Sequence, residues 1–185
     1  ADFYELDPEL VTPPEEADLA GLAAAELLRE DDVTDVWDRF VQPAGPTTTR
    51  PGLRDLVEAG GRLAVSQWGR QRLQQLVGRA ELRQLTRRAH ELGKRVIFDL
   101  VLMQTSRDAA LITQHPEWYV LDDEGHPQIH RIAWLVYSDV ALLDLQGNQQ
   151  VQDYLVEVAP YWMACCQLDG VRIDASQTVD RLFLQ

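Results

Sequence analysis

The chain has 185 residues, 30 acidic and 17 basic, for a formal net charge of −13, and 45% of it is apolar. An apolar share of that size builds a packed core and excludes wholesale disorder, while the charge excludes nucleic acid, whose phosphates need a basic footprint. The longest apolar stretch, Val96 to Met103, is broken by Asp99 and is too short to span a bilayer, so no membrane segment is expected.

Residues 1–20 read as a loose lead-in, because Pro8, Pro13 and Pro14 forbid a continuous helix. Leu19, Leu22, Ala23, Glu26 and Leu27 give helical spacing within Ala17 to Arg29. Val33 to Val41 is rich in β-branched and aromatic residues and is closed by Pro43, which predicts a strand. Ala44 to Gly61 is loop, with a short helical turn around Leu53 to Glu58. Arg79 to Leu92 is a helix with Leu82, Leu85, Ala89 and Leu92 as its stripe and Gly93 as its stop. Arg95 to Leu102 is an aliphatic run interrupted only by Asp99, as expected of a strand buried on both faces. Met103 to Gln146 is a long irregular stretch, which suggests a functional loop or a small inserted subdomain. Asn148 caps a second helix, striped by Val151, Leu155, Val158, Trp162 and Cys165 and kinked at Pro160. Gly170 to Asp174 is a last short strand. The alternation of helix and strand predicts an α/β fold with a parallel sheet.

Two strands place an acid at or near the carboxyl end, Asp99 and Asp174. In barrels of eight strands and eight helices that end forms the active-site mouth, although an acid there also serves as a cap or turn former. Arg172 and Asp174 are two apart and so share one face of their strand. A cation beside a carboxylate favours its charged form, and a charged, oriented carboxylate is what a glycosyl-transfer nucleophile requires.

These stretches carry a resemblance. The helix and strand ELRQLTRRAHELGKRVIFDLVL, then HPEWYVLDDEG, DVALLDLQGNQQVQDYLVEVAPYW and LDGVRIDASQTVDRLFL, are similar to the α-amylase family of glycoside hydrolases and transglycosylases, from about Val33 onward. DGVRIDA at Asp169 to Ala175 resembles the family's fourth-strand motif, and the run ending at Asp99, 75 positions earlier, resembles the approach to its third-strand motif. The resemblance implies Asp174 as catalytic nucleophile, Arg172 as the residue that holds it and contacts the sugar, and Asp99 as a buried acid bracing the arginine. Four and five residues past this aspartate the family has Asn, a calcium ligand in many members, and a sugar-binding His. Here those places are Met103 and Gln104, so no calcium is expected there and Gln104 takes the sugar-binding position. Many members have Lys-His after the nucleophile, where this chain has Gln177-Thr178.

A full barrel needs roughly 250 residues. Counting a first strand near Phe3 to Leu6, residues 1–185 read as the N-terminal half of the barrel, about strands one to four, with 103–147 as a short inserted loop region. The acid/base Glu of the family would lie on the fifth strand, outside this chain. The implied function is hydrolysis or transfer at α-glucosidic bonds by a retaining mechanism, on an α-glucan or oligosaccharide. The alternative is a catalytically inactive amylase-like module for binding or interaction. Open strand edges predict that the missing barrel half, a partner chain or a second copy is needed for stability.

The remaining residues read more plainly. Trp118, with Tyr119, is either a sugar-stacking platform or a hydrophobic anchor for the long loop. His115, His126 and His130 read as surface-loop histidines without metal spacing, His90 as packed or half-exposed, and Asp122 to Gly125 as a turn. Trp37 and Trp162 fall on core stripes. No cofactor or metal is expected. The N-terminus, Ala1-Asp2-Phe3-Tyr4, has no initiator Met or apolar leader. The only cysteines, Cys165 and Cys166, are neighbours and rarely bridge, which favours a reducing, cytoplasmic setting without excluding a secreted one.

Overall fold

A computed structural model of the chain describes residues 3–39, 52–60, 69–132, 135–179, 181 and 183–184. They divide into two compact units. One holds the described residues of 1–5, 96–164 and 168–185, and the other those of 6–95 and 165–167.

The second unit is helical: α1 (Leu19–Ala24), α2 (Glu30–Arg39), α3 (Leu53–Ala59) and α4 (Arg70–Glu91). Val33 and Val36 of α2, Leu56 of α3 and Leu73, Leu76, Val77 and Ala80 of α4 close one core with Val11, Leu19, Leu27 and Leu28. The strand expected at Val33 to Val41 is therefore helix α2 as far as Arg39, and Phe40, Val41 and Pro43 lie outside the described residues. The reason is spacing: Val33, Val36 and Trp37 recur at three and four, and Glu30, Asp31 and Asp32 suit a helix N-terminus. Trp37 packs against this core with the Arg72 guanidinium 4.3 Å above its ring.

Helix α4 starts nine residues before the expected Arg79 and buries a different stripe. Leu85 and Leu92 are 57% and 60% exposed, whereas Arg79, Arg83 and Thr86 are buried. His90 is exposed. Polar residues take the inner face because the helix meets backbone there. Gln75 pairs with both backbone groups of Leu6, accepting from N at 2.8 Å and donating to O at 2.9 Å. At Gly78 a Cβ would lie 2.7 Å from Val11 Cγ2, so the lead-in crosses where the helix has no side chain. Gly93 (φ +67°) ends α4 as expected, with Gly93 N bonded to His90 O and Lys94 N to Ala89 O, both at 2.8 Å.

The first unit carries the strands. β1 (Ile97–Leu100) and β6 (Gly170–Ile173) pair in parallel, with Asp99 opposite Arg172. Asp169 extends the pairing: its N donates to Val96 O at 2.8 Å and its Oδ2 accepts from Val96 N at 2.7 Å. The long stretch after β1 is not irregular. It holds β2 (Gln104–Ser106), α5 (Ala110–Gln114), β3 (His130–Ile132), β4 (Leu135–Tyr137) and β5 (Val140–Leu142), with β2–β5 and β3–β4 antiparallel. Helices α6 (Gln149–Val156) and α7 (Val158–Cys166) return the chain to β6. Asn148 caps α6 by accepting from Gln150 N and Val151 N, and the kink falls at Glu157, which places Pro160 in the first turn of α7, where its missing N–H costs nothing. Trp162 is buried against Phe98 and donates Nε1–H to Phe3 O at 2.8 Å.

Among the described residues the parallel sheet has two strands rather than about four. Phe3 and Tyr4 form a turn and no strand follows at Glu5 or Leu6, because Asp7 and Pro8 open a 3₁₀ turn. No described helix is long and apolar enough to cross a membrane.

Candidate active site

Asp99 and Arg172 face each other across the β1–β6 ladder because their register is fixed, and the pleat turns Asp174 to the same side as Arg172. One guanidinium bridges both acids: Arg172 Nη1 lies 2.6 Å from Asp99 Oδ2, and Nη2 lies 2.9 Å from Asp174 Oδ1. These bonds hold the guanidinium more firmly protonated than usual, Asp174 contributing most and Asp99 next. The planar fork fixes two carboxylates at once, which a point charge on a flexible stem does not do. Directly after Asp174 the backbone turns at Ala175 in the left-handed region (φ +47°) into a 3₁₀ turn at Ser176–Thr178. A non-glycine residue there costs about 1 kcal/mol, strain of a kind that gathers at functional sites.

The expectation of a buried Asp99 is not met: its side chain is 60% exposed, with Arg172 and Asp174 at 56% and 43%. The cause is that β1 pairs on one side only among the described residues.

Met103 is buried, its Sδ 3.3 Å from the Thr178 hydroxyl. Gln104, at the head of β2, shares a hydrogen bond with His130 of β3, Oε1 to Nδ1 at 2.5 Å. His130 is thus a buried partner rather than a surface-loop residue, whereas His126 is exposed. Spacing in sequence gave no sign of this, since 26 positions separate the pair.

Trp118 is 6% exposed, with His115 stacked on its ring at 4.1 Å and Tyr154 at 5.0 Å. Tyr119 is buried as well and its hydroxyl meets Thr105 Oγ1 at 2.9 Å. Neither ring offers an open face, and both serve as anchors of the inserted stretch. Asp122 to Gly125 forms the expected turn, closed by Asp122 Oδ1 accepting from Glu124 N and His126 N. Among the described residues, no three His, Cys, Asp or Glu side chains gather as a metal site.

No protein-family model matches the chain. A cyclomaltodextrinase of Thermoanaerobacter pseudethanolicus is 28% identical over 115 residues, covering 55% of this chain and 20% of that protein. Among solved structures, a maltogenic α-amylase of Thermotoga neapolitana is 29% identical with a TM-score of 0.49, covering 60% of this chain and 25% of its own. An α-amylase of Lactobacillus plantarum is 37% identical with a TM-score of 0.49, covering 56% and 23%. The chain therefore spans a fifth to a quarter of the length of these relatives. With the sequence match to cyclomaltodextrinase beside a DGVRID stretch that sets arginine and aspartate on one strand end, the chain is similar, over part of its length, to the α-amylase family of glycoside hydrolases.

Proposed function

We propose that this chain is part of the catalytic domain of a retaining glycosidase or transglycosylase acting on α-glucosidic bonds of a glucan or oligosaccharide. The observation that carries the reading is the Arg172 fork, which orients Asp174 and Asp99 together at the ends of two adjacent parallel strands. Asp174 is the nucleophile: its carboxylate attacks the anomeric carbon and holds the sugar as a covalent ester. Arg172 keeps the attacking oxygen aimed, and Asp99 fixes Arg172 from the neighbouring strand. Gln104, steadied by His130, supplies an amide for a sugar hydroxyl.

A retaining reaction needs a second carboxyl about 5–5.5 Å from the first, as acid and then base. Asp99 does not serve, because it is tied to the same guanidinium. That role falls to a carboxylic acid outside these residues, carried by the rest of the barrel, which would also cover the outer edges of β1 and β6.

The test is Asp174→Asn in the complete protein, assayed on maltotriose or a nitrophenyl α-glucoside and probed with a fluorinated glucosyl donor. Loss of turnover by roughly 10⁴-fold or more is expected, with the donor trapped on Asp174 in the unmutated protein. Undiminished activity, or a sugar trapped elsewhere, rejects the assignment. An unmutated protein inert on every α-glucoside that still binds oligosaccharide turns the reading to a binding module.

A further inference from the structure

The carboxyl end of α7 holds chemistry that the glycosidase reading leaves unused. Cys165 and Cys166 are both free thiols, Cys165 partly exposed and Cys166 buried. The Cys166 thiol donates to Sγ of Cys165 at 3.5 Å. From α4, Arg83 donates Nη2–H to the same Sγ at 3.4 Å and Nε–H to the Cys165 carbonyl at 2.5 Å. This guanidinium cannot swing away: Asp32 accepts from both of its terminal nitrogens, and Leu27 O accepts at 2.7 Å. One reachable sulfur thus sits between a fixed cation and a second thiol.

We propose that Cys165 and Cys166 form a vicinal dithiol site for a trivalent arsenical, Cys165 attacking first and Cys166 closing the chelate. Geometry selects this class of ligand. Adjacent Cα atoms are about 3.8 Å apart, short of the roughly 4.4–6.8 Å of ordinary disulfides, and both residues lie in the last turn of a helix, so a direct S–S bond is disfavoured. A closed zinc site needs four ligands, and no third metal-binding side chain joins the pair among the described residues. An arsenic centre bearing one organic group needs two sulfurs, side by side.

The electrostatics agree. The Cys165 thiol is lowered to about 7, by the Cys166 hydrogen bond first and, against burial and the Asp32 charge, by Arg79 and Arg83. Cys166 is pushed up by the same hydrogen bond and by burial, so it keeps its proton until the second step. With an organoarsenic oxide, two S–As bonds replace the bonds to oxygen. The oxygen departs with the two thiol protons as water, and no atom changes oxidation state.

The experiment uses the complete protein and phenylarsine oxide, read by peptide mass at Cys165–Cys166 and by iodoacetamide labelling across pH 5–9. One equivalent should bind, protect both cysteines and be removed by a dithiol far more readily than by a monothiol. Alkylation of Cys165 without the arsenical should follow a midpoint near 7. Cys166→Ser should weaken retention by about 100-fold, the second sulfur being held at high effective concentration. Retention undiminished in Cys166→Ser, or a midpoint at the ordinary cysteine value of about 8.5, overturns the proposal.

Discussion

Thr178 sets its hydroxyl 3.3 Å from the thioether sulfur of Met103, joining the turn after Asp174 to the segment between β1 and β2. These are two positions at which the sequence departs from the α-amylase pattern it resembles, and they touch. A buried thioether is a poor ligand for a hard cation, which takes oxygen. Thermal melts in calcium and in chelator are therefore expected to coincide. A chelator-induced drop of several degrees would place a structural calcium at this junction after all.

Arg172→Lys tests the fork. A lysine reaches one carboxylate and leaves the other unheld, so kcat/KM of the complete protein should fall by about 100-fold, the scale of a misplaced reacting group. The melting temperature should barely move, because all three side chains are largely exposed and such pairs contribute little. A large loss of stability with activity retained would make the cluster a strut rather than a site.

The Arg83–Asp32 pair behaves oppositely, with side chains 2% and 6% exposed. Burial by itself pulls the Arg83 guanidinium down, and the hydrogen bond and charge of Asp32, with smaller contributions from Cys165 and Cys166, more than offset this. Arg83→Leu leaves Asp32 buried and unpaired, so unfolding in urea should show a loss of about 3–5 kcal/mol. The double variant Arg83→Leu with Asp32→Leu should recover much of that loss. A single variant as stable as the parent contradicts the pairing.

Acid should loosen the Asp122 turn. The His126 N–H first, and less so that of Glu124, hold the Asp122 carboxyl below its usual range against the opposing effect of desolvation. A carboxyl depressed by folding stabilises fully above its unfolded value and stops doing so as pH falls through its folded one. In an NMR titration the Gly125 and His126 amides should report a midpoint below about 3.9. A midpoint at or above that value removes the carboxylate from the turn.

Local signals read true wherever the deciding interaction is local. Gly93 ends α4 because only its φ of +67° closes the last carbonyls, and Asn148 caps α6 through its own side chain. The runs around Asp99 and Asp174 became strands, with the two acids at one end of them. Val33 to Val41 misled because β-branched content pointed to a strand, while the three-and-four spacing of Val33, Val36 and Trp37 served a core made with α4. Leu85 and Leu92 misled in the same way, since a stripe of leucines does not say which face meets backbone that only arginine and glutamine satisfy.

By itself, then, the sequence determined the α/β class, the caps and stops, and the Arg-x-Asp spacing that sets Arg172 and Asp174 on one side of a strand, because each depends on residues a few positions apart. Tertiary structure decided that one guanidinium spans both acids, that His130 holds Gln104, that Trp118 is covered, and that Arg83 guards a pair of thiols. Those contacts join residues 26 to 82 positions apart, or turn on which face a loop buries. Chain spacing carries no information at that range; burial and hydrogen-bond satisfaction choose the partners once the chain has closed on itself.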